Sequence, residues 1–250
     1  MERQKIAIIT GGSRGVGKRA ALELSARGIG VILTYNSGQT EAEAVVSEII
    51  NNGKKAVALK LDVTQVKSFG DFKDQVLHVL EKEWRRSSFD YLVNNAGTAQ
   101  RSLIKDVTEE QFDELVQVHF KGVFFLTREL LPFMADEGHI IFISSGLTRF
   151  SHNGVAVYAA VKGAVEVLTR YIALEFSDRK IRANCIAPGA LDTDFGGGRT
   201  DGQRKSIGEN TLLGRIGLAE DIGSLIAAVL SDDCRWVNAQ RIEASGGINV

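Results

Sequence analysis

The stretch Tyr-Ala-Ala-Val-Lys, residues 158–162, sets a phenol and an ammonium four positions apart. In a helix the two side chains share a face, one turn apart. A free phenol keeps its proton to about pH 10. A neighbouring ammonium favours the phenolate and lowers that value. A phenol tuned in this way can hand a proton to a carbonyl oxygen or take one from an alcohol. On a solvated helix the same pair would be two surface side chains, so the rest of the chain must decide. A second stretch with chemical content is Thr-Gly-Gly-Ser-Arg-Gly-Val-Gly, residues 10–17. Gly11, Gly15 and Gly17, in the spacing G-x-x-x-G-x-G, let a backbone turn tightly and approach a pyrophosphate, which the N-terminus of a following helix stabilises. Glycines serve any tight strand-to-helix turn. What gives these meaning is their position just after an apolar run.

The hydropathy pattern supplies elements to hold both stretches. Short apolar runs predict strands at 5–10, 30–35, 55–63, 89–97, 139–145, 181–189 and 240–247. Longer amphipathic runs predict helices at 15–27, 40–51, 66–84, 109–134, 155–176 and 219–230. The strands are nearly continuous Val, Ile, Leu and Ala, the pattern of a sheet covered on both faces. The expected fold class is α/β: a single-domain, Rossmann-like, doubly wound parallel sheet of about seven strands with helices on both faces, spanning residues 1–250. The one glycine-rich, polar interruption, at about 195–208, reads as a flexible substrate loop following the C-terminal end of a strand, where such sheets bind ligands.

Bulk composition narrows the classes. The 250 residues are 44% hydrophobic and 24% charged, with a formal net charge of -1. That supports a sizeable core and gives no electrostatic reason to expect nucleic acid or an anionic membrane as partner. No apolar run approaches the roughly 18 residues of a membrane span. The first apolar run, Ile6 to Ile9, is too short for a signal-peptide core. A cytoplasmic location is expected. Cys185 and Cys234 form no CxxC motif, and His78, His119, His139 and His152 have no metal-binding spacing, so neither a disulfide framework nor a metal is expected.

The second predicted strand ends Thr-Tyr-Asn-Ser-Gly, residues 34–38, without the carboxylate that would bond the ribose hydroxyls of NAD. Arg14, inside the glycine loop, offers a guanidinium to a 2′-phosphate, and Asn36 and Ser37 offer hydrogen bonds. The expected cofactor is NADP(H). The alternative is that Arg14 points to solvent.

With these motifs in hand, the chain resembles the short-chain dehydrogenase/reductase family in its compact single-domain branch, and within it the 3-oxoacyl-carrier-protein reductase-like carbonyl reductases. The resemblance runs over nearly the whole length. It rests on residues 10–17, the Asp62-Val63 pair, Asn-Asn-Ala-Gly at 94–97, Ser145 thirteen residues before Tyr158, the 158–162 stretch, and Ala-Pro-Gly-Ala-Leu-Asp-Thr at 187–193. It implies Tyr158 as acid/base, Lys162 as the holder of the nicotinamide ribose that lowers the tyrosine pKa, and Ser145 as the hydroxyl that polarises a substrate carbonyl. It implies cofactor contacts from Gly11, Ser13, Arg14, Gly15, Val16 and Gly17. Others come from Asp62 and Val63 at the adenine, from Asn95, Ala96 and Gly97 at the strand-four wall, and from Pro188, Gly189, Leu191 and Thr193 at the nicotinamide. Ser144 reads as a strand-end hydroxyl. These roles fit the chemistry: hydride delivery builds negative charge on a carbonyl oxygen, which two hydroxyl donors stabilise.

One departure stands out. His119 occupies the place where the family usually has an asparagine supporting a water that resupplies protons to the lysine. A histidine can hold the same water and can also titrate in the working range; the plainer reading is a buried neutral ring serving helix packing. Neighbouring chemistries are set aside by position. Enoyl reductases of the superfamily place the lysine seven positions after the tyrosine, where this chain has Val165; pteridine reductases carry arginine where it has Gly15; sugar-nucleotide epimerases need glycine where it has Arg14. The expected activity is reversible NADPH-dependent reduction of a small to medium ketone, such as a 3-oxoacyl group, to a secondary alcohol. The alternatives are an NAD-dependent alcohol or polyol dehydrogenase and a non-catalytic cofactor sensor. The pocket is expected from 146–154, 98–103 and 195–208, with Leu147, Phe150, Val155 and Phe195 making it partly apolar. The helices at 109–134 and 155–176 resemble the pair that forms a dimer contact in relatives, and the C-terminal residues 243–250 a second contact, giving a homotetramer or homodimer.

Overall fold

The computed structural model describes residues 3–249. Seven parallel strands form one sheet: β1 (Ile6–Ile9), β2 (Gly30–Tyr35), β3 (Ala56–Lys60), β4 (Phe89–Asn94), β5 (Met134–Ile143), β6 (Arg182–Pro188) and β7 (Arg241–Ala244), in the order β3-β2-β1-β4-β5-β6-β7. The helices are α1 (Gly15–Ala26), α2 (Gln39–Asn51), α3 (Phe69–Trp84), α4 (Glu109–Val116), α5 (Gly122–Leu130), α6 (Ala156–Glu175), α7 (Asp201–Glu209) and α8 (Ala219–Val229). The chain builds outward from β1 to β3, then returns to lay β4 on the other side of β1. The loops after β1 and β4 therefore diverge. That leaves a crevice at the strands' C-terminal ends, where doubly wound sheets take their ligands.

The unbroken apolar strands follow from burial on both faces. In β1 every residue is buried. Ile6 and Ile8 join one core layer with Phe72, Leu126, Val165 and Ile172, whereas Ala7 and Ile9 join the other with Ala20, Leu24, Ile49 and Ile226. Each such side chain withdrawn from water contributes about 1.5–3 kcal/mol.

The helix expected over 109–134 is broken. Gln117–Lys121 forms a π-turn between α4 and α5. Helix α5 ends at Leu130, and a short 3₁₀ turn containing Pro132 follows, since proline cannot continue an α-helix. The fifth strand starts at Met134, five residues before the expected His139. Its first half is polar, with Glu137 at φ 64, and its pairing register with β4 shifts between Phe89 and Tyr91. Alternation of hydropathy could not reveal such a strand. The stretch at 195–208 is also only half a loop. Gly196, Gly197 and Gly198 all have positive φ, but Thr200 and Gln203 form a reciprocal capping box that opens α7. Several strands are shorter than expected at their ends, where the chain leaves the sheet to build loops.

Candidate functional site

At the β1–α1 turn the glycines are there because larger residues do not fit. A Cβ on Gly17 would lie 2.2 Å from the Gly11 carbonyl oxygen and 2.5 Å from Asn95 Nδ2. Gly11 and Gly15 adopt φ of +65 and +54, a region that L side chains rarely enter. A Cβ on Gly15 would meet nothing within 4 Å, so the loop is open on its outer side. Helix α1 starts there with no side-chain cap at Arg14 and no acidic residue in its first turn, whereas α4 and α7 carry capping boxes. Donor groups without a protein acceptor, at the positive end of a helix dipole, suit a phosphate. The residues present thus fit a dinucleotide pyrophosphate.

Asn95 does more than line a wall. Its Nδ2 donates to the carbonyls of Thr10 and Gly11 at 2.9 and 3.0 Å, while the backbone N–H groups of Asn95 and Ala96 each donate to Thr10 Oγ1 at 2.9 Å. The asparagine clasps the glycine loop onto the end of β4. Asp62 commits one carboxylate oxygen to Thr64, accepting from its N–H at 2.9 Å and its hydroxyl at 2.7 Å. Val63 packs its carbonyl against Gly122, where a Cβ would come within 2.1 Å. Arg14, Asn36 and Ser37 are exposed at the rim. A carboxylate missed by the sequence reading also reaches this rim. Glu41, in the first turn of α2, brings Oε2 to 3.2 Å of the point where a Gly38 Cβ would stand, with Ser13 Oγ at 3.3 Å from the same point. Glu41 lies beyond the end of β2 and comes to the rim from the next helix.

The other end of the crevice gathers the remaining candidates. Ser145 ends the β5 segment and accepts a bond from the Leu147 N–H at 3.2 Å. Tyr158 and Lys162 lie one turn apart on α6. The Lys162 ammonium is buried, donates to the Ile143 carbonyl at 2.7 Å and lies 5.6 Å from the Tyr158 ring centroid. Burial lowers its pKa to about 8. Burial also raises the Tyr158 phenol above its ordinary value, and the nearby Ser145 hydroxyl pulls the other way. Of these two influences on the phenol, desolvation is the larger.

His119 is fully buried in the π-turn. Its Nε2 sits 2.7 Å from the Thr98 carbonyl, its ring meets the Tyr158 ring edge-on at 5.1 Å, and its Nδ1 is buried without a partner. Burial, and secondarily the Lys162 charge, lowers its pKa to about 3. The Thr98 carbonyl favours a charged ring, but burial outweighs it, which supports the plainer expectation of a neutral packed histidine over one that titrates in the working range. Gly97 lies under this ring, and a Cβ there would come within 2.8 Å of His119 Cε1.

Phe195 covers Tyr158 with ring centroids 6.1 Å apart. A small cleft beside Tyr158 is lined by Gln100, Ser102 and Val155, as expected, and also by Val107, Gln111 and Leu115 around α4, which the sequence did not suggest. Phe150 instead packs against Gly146. Gly189 donates its N–H to the Ala244 carbonyl at 3.0 Å, the Leu191 carbonyl accepts from Arg199 Nε at 3.2 Å, and Thr193 Oγ1 accepts from the Phe195 N–H at 3.4 Å. This places 188–193 between β6 and the glycine swivel. Among the described residues no cluster could hold a metal ion, and no helix is long and apolar enough to cross a membrane.

A doubly wound sheet with an open glycine turn at its switch point, and a half-buried phenol with a buried hydroxyl and ammonium at its far end, defines an oxidoreductase of the Rossmann type. The comparisons agree. A family model described as enoyl-(acyl carrier protein) reductase matches residues 11–249. Versicolorin reductase 1 of Dothistroma septosporum is 34% identical over 97% of this chain and 95% of its own. Among solved structures, the promiscuous reductase LugOII, which catalyses keto-reduction at C1 during lugdunomycin biosynthesis, superposes with a TM-score of 0.93 at 31% identity over 98% of each chain. A short-chain dehydrogenase of Burkholderia cenocepacia in complex with NADP gives 0.91 at 29% identity over 99% of each chain. The chain belongs to the short-chain dehydrogenase/reductase family.

Proposed function

We propose that the protein reduces a ketone to a secondary alcohol with NADPH. The observation that carries this reading is the meeting, at one end of the crevice, of the half-buried Tyr158 phenol, which packs against the edge of the His119 ring, the Lys162 ammonium one turn on at 5.6 Å from its ring centroid, and the buried Ser145. NADPH, when bound, supplies the hydride. Tyr158 Oη and Ser145 Oγ both donate to the substrate carbonyl oxygen, and the Tyr158 proton moves to that oxygen as negative charge builds on it. The Lys162 Nζ holds the nicotinamide ribose, and His119 holds the tyrosine ring in place as a neutral edge contact. Gly11, Ser13, Gly15, Val16 and Gly17 hold the pyrophosphate, with Asn95 fixing their loop. Asp62 and Val63 flank the adenine, Ala96 and Gly97 form the wall behind the ribose, and Pro188, Gly189, Leu191 and Thr193 frame the nicotinamide. Arg14, Asn36 and Ser37 take the 2′-phosphate. The names of the versicolorin reductase and the keto-reducing LugOII support ketone chemistry, and the Tyr158–Lys162 spacing stands against enoyl reduction.

Glu41 favours a second reading for the cofactor alone. Its carboxylate near Ser13 opposes a 2′-phosphate and accepts hydrogen bonds from free ribose hydroxyls, so NADH competes. The protein further assembles as a tetramer of the kind the resemblance implies. Phe112, Phe124, Tyr171 and Leu174 are exposed on α4, α5 and α6 while Val165, Leu168 and Ile172 are buried against the sheet, so α6 has two apolar faces. Loss of reduced-nicotinamide absorbance with NADPH and NADH, against ketones, β-keto esters and acyl thioesters, tests the activity. Turnover abolished in Tyr158→Phe with cofactor binding retained supports it. Equal turnover in that variant refutes it. A monomer by light scattering refutes the assembly.

A further inference from the structure

Behind Ser145 lies a chain of charge that the activity as read above does not use. Glu166 stands one turn after Lys162 on α6. Its Oε1 accepts three bonds, from the Ser144 hydroxyl at 2.6 Å, the Thr148 hydroxyl at 2.8 Å and Arg241 Nε at 2.7 Å. Arg241 continues to Glu243 through Nη1 at 3.0 Å. Glu243 accepts two bonds from Arg149, at 2.8 and 2.7 Å, and one from the Ser245 hydroxyl at 2.8 Å. Arg149 ends the series on the carbonyls of Asn249 and Ile248, both at 2.9 Å. Two anions and two cations alternate from the catalytic helix to the end of the described chain.

The series closes around Ser145. Its carbonyl accepts from Arg241 Nη2 at 3.4 Å and lies 2.9 Å from Thr148 Oγ1, whose one proton it shares with Glu166, and the preceding Ser144 hydroxyl is held by Glu166. Arg241 Nη2 also donates to Thr148 Oγ1 at 3.1 Å. The backbone at the serine is thus held by groups from α6 and β7 together with Thr148 of its own loop. The Glu166, Glu243 and Arg241 side chains are only 15 to 25% exposed, so their charge-assisted bonds are little screened. Linked charges of this kind add little net stability, because desolvation offsets their attraction; their best-attested use is to specify one arrangement. The arrangement specified here is the position of the Ser144–Ser145 backbone, which carries the Ser145 hydroxyl.

We propose that Glu166, Arg241, Glu243 and Arg149 are positioning residues that aim Ser145 at the substrate carbonyl, so that the C-terminal residues Ile248 and Asn249 complete the active-site scaffold. This rests on the reading of Ser145 and Tyr158 as the paired proton donors. The test is a double-mutant cycle of Arg241→Met with Ser145→Ala. Arg241→Met alone should lower kcat roughly 10- to 100-fold, a share of what oxyanion-type donors contribute, with the NADPH Kd, read by fluorescence, within about twofold of wild type. In the Ser145→Ala background the same change should cost less than about twofold, since no hydroxyl is left to aim. Equal costs in both backgrounds, or a lowered Tm with kcat unchanged, would overturn the proposal. Glu166→Gln, and a chain ending at Gly247, give the same comparison should Arg241→Met not fold. Hydrogen exchange gives a readout independent of turnover. Amides of residues 144–150 should exchange at least about tenfold faster in Arg241→Met, while those of 10–17 keep their rates. Unchanged exchange at 144–150 refutes the positioning role. If the wild type turns over no carbonyl compound, the proton-donor reading fails and the exchange arm decides the scaffold by itself.

Discussion

Replacing His119 by asparagine tests how this site holds a ring without charging it. The folded pKa of His119 is lowered to about 3, against about 6.5 in an unfolded chain. Between those values the unfolded state binds a proton that the folded state refuses. The stability tied to the neutral ring is therefore complete above pH 6.5 and falls by about 1.4 kcal/mol per pH unit as pH drops toward 3. At pH 5 the loss attributable to His119 is about 2 kcal/mol, and His119→Asn removes it. His139 is also buried, with its pKa well below the ordinary value, and it contributes an acid-side loss of its own to both proteins. The measurement is the change in unfolding free energy between pH 7 and pH 5, by urea titration at equal protein concentration. Wild type should lose about 2 kcal/mol more than the variant over that interval, whatever the substitution costs at pH 7. Equal losses would mean that His119 accepts a proton in the fold, and the account of a neutral ring wedged between Thr98 and Tyr158 would be wrong.

Other perturbations follow from single contacts. Glu41→Gln removes an anion from the 2′-phosphate rim and should raise the ratio of NADPH to NADH affinity by about 3- to 10-fold, the effect of one partly screened like charge; an unchanged ratio by fluorescence titration would place Glu41 outside the cofactor's reach. Asn95→Ala leaves the Thr10 and Gly11 carbonyls without their donor and should cost about 1–3 kcal/mol, read as a lower Tm together with weaker NADPH binding. Gly17→Ala forces a Cβ onto backbone that cannot move aside, and should weaken NADPH binding by more than about tenfold. Wild-type affinity in that variant would contradict the tight packing of the loop against Asn95.

The sequence showed the parallel sheet clearly because burial on both faces leaves strands without alternation, as in β1 and β2. It showed the glycine turn and the Tyr158–Lys162 pair because each depends on spacing along one element. What it hid depends on contacts across elements. The π-turn that buries His119, and the polar start of β5 with its register shift, have no periodic signature. Helix α7 did have one, in Thr200 and Gln203, masked by the glycines before it. Glu41 was overlooked because the relevant carboxylate comes from the helix after the strand, not from the strand. The sign of the Tyr158 shift was unreadable from neighbours in sequence, since it is set by how much water the fold removes, and the Arg149–Glu243–Arg241–Glu166 series reaches Ser145 through Arg241, 96 positions away.

Gly196, Gly197 and Gly198, all at positive φ between the Phe195 cover and α7, separate two kinds of evolutionary constraint. The phenol and ammonium are carried by α6 and the hydroxyl by the turn after β5, and both elements bury a face in the core. The cover is attached through a joint that imposes almost no packing demands, and α7 brings its own cap. Residues 195–209 can therefore be exchanged, lengthened or reshaped with little effect on the sheet. The cover can change there while Ser145, Tyr158 and Lys162 keep their places.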